Sequence, residues 1–252
     1  MVTRDTAWPA GTPCWVDLGA DVGKAEAFYS ALFGWEIRQY ETAEMEYWGC
    51  TLNGKAVAGL GRQQDPAQPT AWTTYLATDN ADDTVARIKA AGGQVLMEPM
   101  DVMDQGRMAI TADPGGAVFG LWQAGTHTGM EIANEPGAVT WNENMTGDFE
   151  GNQKFYADVF GYSYDDMSAE GFQYATVAVG GSVAGGIGTT DTHPNWTTYF
   201  AVEDTDATVA KAQELGGSVL SPPADTPYGR MAVVADDQGT AFAVMDQSAG
   251  TS

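Results

Sequence analysis

The chain is poor in positive charge. Eleven Lys and Arg stand against 34 Asp and Glu, a net charge of −23 over 252 residues. Such a surface repels nucleic acid and anionic membranes, which excludes both as partners. Cysteine is scarce as well: Cys14 and Cys50 are the whole supply, too few for a disulfide framework. No run of about 18 apolar residues occurs, so no membrane span is expected. The opening Met1-Val2-Thr3-Arg4-Asp5 has no apolar signal core. A soluble, cytoplasmic protein is the expectation. Histidine is limited to His127 and His193, and neither has a motif that ties it to a Ser or Cys nucleophile. A GxSxG elbow is absent, and the Gly-Gly pairs follow helices rather than precede them, so no phosphate loop is read.

What the chain does have is repetition. Trp72-Thr73-Thr74-Tyr75 returns as Trp196-Thr197-Thr198-Tyr199, 124 positions later. The residues around it return too. GRMAITADPGGAVFGLW from Gly106 answers GRMAVVADDQGTAFAVM from Gly229, and AFYSALFGW, ending at Trp35, answers KFYADVFGY, ending at Tyr162. Val57-Ala58-Gly59 answers Val183-Ala184-Gly185. Order and spacing survive along nearly the whole chain, so a unit of roughly 125 residues is duplicated. The expected domains are residues 11–123 and 137–247.

Each unit has an inner order. Trp15–Leu18 reads as a strand. Ala25, Phe28, Tyr29 and Leu32 recur at helical spacing, with Asp21 as cap and Gly34 as stop. Asn53-Gly54 is a hairpin turn. Gln63–Pro69 reads as a polar, Pro-rich linker, after which strand, helix and hairpin return. The expected fold is therefore α+β: four βαβββ modules paired into two curved sheets, with helices outside and a concave face to be covered by a ligand, core or partner.

The stretches GTPCWVDL, AFYSALFGW, WTTYLATD and TADPGGAVFGLWQ resemble the vicinal oxygen chelate superfamily. That family includes glyoxalase I, bleomycin- and fosfomycin-resistance proteins and extradiol dioxygenases. HTGMEIANEPGAVTWNE, from His127, further resembles its actinobacterial two-domain, glyoxalase-like branch. The resemblance implies a divalent metal on the concave face, held by His, Glu or Gln. The matching positions here are Cys14 and Thr140 on the first strand, Thr73 and Thr197 on the fifth, and Gly120 and Ala243 on the last. On the fourth, Ala58-Gly59 and Ala184-Gly185 offer no donor. That set lacks the converging imidazole, carboxylate or thiolate groups a metal site needs, so no metal or other cofactor is expected.

An aromatic trough remains. Trp48, Tyr75, Trp122 and Tyr199 are candidate walls, since aromatic faces stack on flat apolar ligands. Thr73 and Thr197 are candidate hydroxyl donors, Tyr75 being expected on the Trp72 side of its strand. Arg107 and Arg230 head the repeated GRM as candidate ligand forks or ion-pair partners. Asp17 and Glu143 occupy matching first-strand places, as partners of an Arg or as bases with a raised pKa. The reading is metal-independent binding of a hydrophobic aromatic small molecule, for sequestration, resistance or secondary metabolism. The alternatives are an enzyme of the same superfamily, namely a lyase, an isomerase or cyclase, or a hydroxylase-like catalyst, and a purely structural role. The chain is expected to be a monomer, itself a pseudo-dimer, or a homodimer.

Overall fold

The computed structural model describes residues 2–40, 46–63 and 70–249. After a short strand β1 (Val2–Thr3), the first unit runs β2 (Pro13–Ala20), α1 (Val22–Phe33), β3 (Glu36–Gln39), β4 (Tyr47–Leu52), β5 (Lys55–Arg62), β6 (Trp72–Ala77), α2 (Ala81–Ala90), β7 (Gln94–Val102), β8 (Gly106–Ala112) and β9 (Val118–Ala124). Strand β10 (Ile132–Ala133) pairs with β1. The second unit then runs β11 (Val139–Thr146), α3 (Phe149–Phe160), β12 (Ser163–Asp166), β13 (Tyr174–Val179), β14 (Ser182–Thr189), β15 (Asn195–Ala201), α4 (Thr205–Glu214), β16 (Ser218–Thr226), β17 (Gly229–Ala235) and β18 (Ala241–Asp246). Residues 64–69, most of the expected linker, lie outside the described residues. None of the described helices is long and apolar enough to cross a membrane.

Local chemistry sets the boundaries. Asp21 caps α1 by accepting from the backbone N–H of Gly23 and Lys24, and Gly34 ends it in the left-handed region at φ 73°. Asn53 and Gly54 take φ of 53° and 75°, the paired positive values a two-residue hairpin turn requires.

Each unit forms one open eight-stranded sheet, ordered β3-β4-β5-β2-β6-β9-β8-β7 in the first and β12-β13-β14-β11-β15-β18-β17-β16 in the second. Within each, the two βαβββ modules meet at the antiparallel pair β2–β6 or β11–β15. This is the α+β architecture of four βαβββ modules paired into two sheets that the repeat and the element order predict.

The helices do not simply coat the outside. Phe28, Tyr29 and Phe33 of α1 share one core with Phe200, Val209, Val234 and Phe242 of the second unit. Phe155, Tyr156 and Val159 of α3 share another with Leu76, Ile88, Phe119 and Leu121 of the first. The sheets thus pack back to back, each lending a helix to the other's core. Polar latches fix the exchange. Tyr156 Oη donates to Asp113 Oδ2 in the first unit's final hairpin (3.0 Å), and Tyr29 Oη donates to Asp236 Oδ2 in the second's (2.9 Å). Trp72 Nε1 donates to Tyr29 Oη (3.1 Å), and Trp196 Nε1 to Tyr156 Oη (3.0 Å).

Strand alternation assigns the repeated tetrapeptide two jobs. Trp72 and Thr74 point into the contact between sheets, where Thr74 Oγ1 donates to Asn142 Oδ1 (2.9 Å) and lies 3.4 Å from Thr198 Oγ1. Thr73 and Tyr75 point the other way. The expectation that Tyr75 lies on the Trp72 side is corrected: residues three apart on a strand face opposite sides.

Candidate functional site

The face of the first sheet turned away from α1 and α2 holds a cleft of ≈ 710 Å³, counting its mouth. Trp15 and Asp17 of β2, Tyr47 of β4 and Tyr75 of β6 line it, with Met108 of β8 and Trp122 of β9. Tyr40, Met103, Gln105 and His127 close over from the connections. Residues from both outer halves of one sheet meet around one cleft, which requires the sheet to curl.

Asp17 is the cleft's carboxyl. Tyr75 Oη donates to its Oδ2 (3.1 Å), and so does Tyr47 Oη (3.3 Å). Trp15 Nε1 in turn donates to Tyr47 Oη (2.8 Å). Among the described residues no hydrogen bond reaches Oδ1. Burial pushes the Asp17 carboxyl up to about 7, while the two phenols work in the opposite direction. Both phenols are held far above their ordinary value by burial and by the carboxylate, so they remain donors. His127 packs edge-on against Trp15 (4.4 Å between centroids) and Trp122 (5.5 Å). Burial lowers its pKa to about 4, so the imidazole is neutral at pH 7. Tyr40 stacks on Tyr47 as a half-exposed roof.

Two glycines make this arrangement possible. Gly59 lies beside Asp17 in the parallel pair, and a Cβ there would collide with the Tyr47 hydroxyl. Gly120 lies beside Tyr75, and a Cβ there would collide with that ring. Gly59→Ala is therefore expected to displace Tyr47 and to cost about 1–3 kcal/mol of stability by overpacking. Urea unfolding measures the loss, and an unchanged midpoint would contradict the geometry.

The second sheet repeats the constellation. Trp141 Nε1 donates to Tyr174 Oη (3.1 Å), Tyr174 Oη to Glu143 Oε1 (2.8 Å), and Tyr199 Oη to Glu143 Oε2 (2.6 Å). Gly186 stands beside Glu143 and leaves room for the Tyr174 hydroxyl. Gly59 sits beside Asp17 as Gly186, not Gly185, sits beside Glu143, so the match of the two Val-Ala-Gly triplets slips by one residue. Burial raises the Glu143 pKa. Here both carboxylate oxygens are taken.

Other candidates fall elsewhere. Thr73 stands directly across from Asp17, and Thr197 across from Glu143, on the trough face but outside the described cleft lining. Trp48 faces away and packs on the shared core. Arg107 is tied to Asp82 (2.9 Å) and Asp101 (2.8 Å), and Arg230 to Asp206 and Asp225, so these forks are engaged in surface ion pairs. Among the described residues, the hydrogen-bond partners of Asp17 and Glu143 are tyrosines rather than an Arg. Cys14 turns to the packed side, its Sγ 3.4 Å from the carbonyl of Tyr75, and Thr140 donates to Asn134. Tyr47 and His127 were not singled out from sequence. The glycine facing Tyr47 was the available signal for the first; the second sits in a connection with no periodicity.

The residues do not fit a family-type metal. Thr73 offers a hydroxyl, Cys14 faces the core, and the space over Gly59 and Gly120 is filled by Tyr47 and Tyr75. Among the described residues, no three His, Cys, Asp or Glu side chains are grouped to hold a metal ion.

Back-to-back sheets of paired βαβββ modules define the fold, with the cleft on the outer face of the first. Residues 18–121 match the Glyoxalase/Bleomycin resistance protein/Dioxygenase superfamily, and residues 139–245 match the Glyoxalase-like domain. The chain belongs to that superfamily. It is 38% identical to the "Anthracycline biosynthesis protein DnrV" of Streptomyces peucetius, over 97% of this chain and 96% of the relative. It is 41% identical to the "Putative glyoxylase CFP32" of Mycobacterium tuberculosis, over 93% and 94%. The Mn(II)-bound glyoxalase from Novosphingobium aromaticivorans shares the fold, with a TM-score of 0.66 at 18% identity, covering 96% of this chain and 86% of that one. So does the 2,2',3-trihydroxybiphenyl 1,2-dioxygenase of Sphingomonas wittichii, at 0.64 and 14%, covering 94% and 91%.

Proposed function

We propose that the first trough binds a planar, polycyclic aromatic molecule without a family-type metal. The observation that carries this reading is the aromatic wall of Trp15, Tyr47, Tyr75 and Trp122 around the one open carboxyl oxygen of Asp17. Flat rings stack on such walls, and a single polar group at the floor sets their orientation. The Streptomyces relative's name, with its mention of anthracycline biosynthesis, supports a fused-ring ligand. The metal positions support metal independence, because their side chains are a hydroxyl, a core-facing thiol and glycines covered by tyrosine.

The test is a titration with alizarin, a fused-ring hydroxyquinone, following Trp fluorescence in protein treated with EDTA. Saturable quenching is expected. Trp122→Ala should weaken binding about threefold to tenfold, the worth of one aromatic pair at 0.5–1.5 kcal/mol. Quenching that never saturates, or that needs an added divalent metal, contradicts the reading.

A further inference from the structure

The two halves match in the walls of their troughs but not along the free edge of the sheet. In the first half, Met100 stands across from Met108, and Met108 across from Trp122. Residues directly opposite in an antiparallel pair share a face, so Met100 lies on the face of the cleft. Met97 stands across from Ile110, which is two residues from Met108 and on that same face. In a regular strand Met97 and Met100, three apart, would point opposite ways. The bulge between them sets three steps on β7 against two on β8 and turns both toward the trough. Val102 and Met103 continue the row to the cleft's own wall. Met103 takes φ 48°, a left-handed backbone that a side chain of this size adopts only at a cost.

These methionines are open. Met97 is 43% exposed, and Met100 and Met103 are each 47% exposed. Exposed apolar strips of this kind mark binding grooves. The second half does not repeat the strip. The same register puts Ser221 in the place of Met97, Ala224 in that of Met100 and Thr226 in that of Val102, and Pro227 follows. By contrast, Leu96 and Leu220 are each 56% exposed and match between the halves, so exposure at that position distinguishes nothing. The large apolar side chains at the other four places are particular to the half that holds the cleft. The acids next to them are neutralised: Glu98 pairs with Lys89 (2.8 Å) and Asp101 with Arg107 (2.8 Å).

We propose that this methionine shelf is a subsite for an uncharged, apolar arm of the ligand, so that the ligand class is a fused-ring aromatic carrying an alkyl-type substituent. This rests on the binding reading above. The rings lie among Trp15, Tyr47, Tyr75 and Trp122, and the arm passes Met108 and runs over Met100 toward the edge of the sheet. From β9 to β7 is two strand spacings, about 10 Å, a reach that suits an eight-carbon chain. Continuity selects this occupant, because Val102, Met103 and Met108 line the cleft and also begin the shelf. Methionine suits the task, since its unbranched, polarizable side chain adapts to a chain of no fixed shape.

The test uses two probes with one ring system, 1-(methylamino)anthraquinone and 1-(octylamino)anthraquinone, each titrated against Trp fluorescence. A fully buried methylene is worth about fourfold in affinity. On a half-open shelf the seven extra carbons should therefore tighten binding about 100-fold. The double variant Met97→Ser, Met100→Ala, which installs the residues of the second half, should cut the octyl-to-methyl ratio of affinities about tenfold or more. Both side chains are exposed, and circular dichroism checks the fold. Light scattering of the intact protein and the double variant follows the oligomeric state. A ratio near one in the intact protein overturns the subsite, and so does an unaltered ratio in the folded double variant. A dimer that the double variant abolishes, with the ratio unaltered, overturns it in favour of a second copy covering the shelf. In each of these cases binding of the methyl probe leaves the binding reading standing. No binding of either probe or of alizarin overturns both.

Discussion

Asp113→Ala is expected to lower the unfolding free energy by about 3–5 kcal/mol, the cost of breaking a buried charged network on one side. Asp113 is fully buried. Its Oδ2 accepts from Asn152 Nδ2 (2.8 Å), Asn144 Nδ2 (2.9 Å) and Tyr156 Oη (3.0 Å), and its Oδ1 from the backbone N–H of Gly116 and Ala117. Truncation takes an acceptor from all five donors and leaves the Tyr156 hydroxyl and the Ala117 N–H out of water with none, since Asn144, Asn152 and Gly116 each keep a second one, and stranding a buried donor is the expensive way to remove a hydrogen bond. Three of the five donors belong to the second unit, so the loss is expected to loosen the contact between units before either sheet. Urea unfolding gives the number. A change below about 1 kcal/mol would mean that water reaches the cluster. Asp236, the counterpart, accepts from Tyr29 and two backbone N–H groups, and its removal should cost less.

Phe200→Ala is expected to cost about 3–5 kcal/mol, the range for truncating a buried aromatic. Phe200 is fully buried among Phe33 (5.0 Å between centroids), Trp72 (5.3 Å), Trp35 (5.5 Å) and Phe242 (5.9 Å). Three of these four rings come from the first unit, although Phe200 is in the second. The cavity therefore opens in a core that both units own. Thermal melts followed by far-UV circular dichroism and by Trp fluorescence should fall together, as a single transition at lower temperature. Two separate transitions would show that the units are independent, against the shared cores.

Much of the fold was legible because duplication wrote each element twice. The helix spacing of Ala25, Phe28 and Tyr29, the cap Asp21 and the Asn53-Gly54 turn are local signals, and each holds in the structure. What sequence could not give was which side of each strand meets water. Trp48 and Tyr47 are neighbours of similar character, and only the register decides that Tyr47 enters the trough. The same holds for Arg107, whose prominence in a basic-poor chain reflects the pair Asp82 and Asp101 rather than the cleft. Asp17 and Glu143 stood out from sequence by position alone. Their phenol partners come from strands 30 to 58 residues away, a separation that periodicity does not bridge. The glycines read as missing metal donors prove to be seats for Tyr47 and Tyr75.

The exchange of helices between the halves has an evolutionary consequence. Two separate copies of such a unit, paired in the same way, would have to carry the same trough twice, since a single gene would specify both. Here residues 17 and 143 are separate codons, and a change at one leaves the other untouched. One half is free to shorten its acid and release an oxygen, while the other keeps a longer acid pinned at both ends. Neither half can be discarded in the process, because each still closes the core of its neighbour. A trough that had lost all ligands of its own would be retained for the helix and the tyrosine that its half supplies.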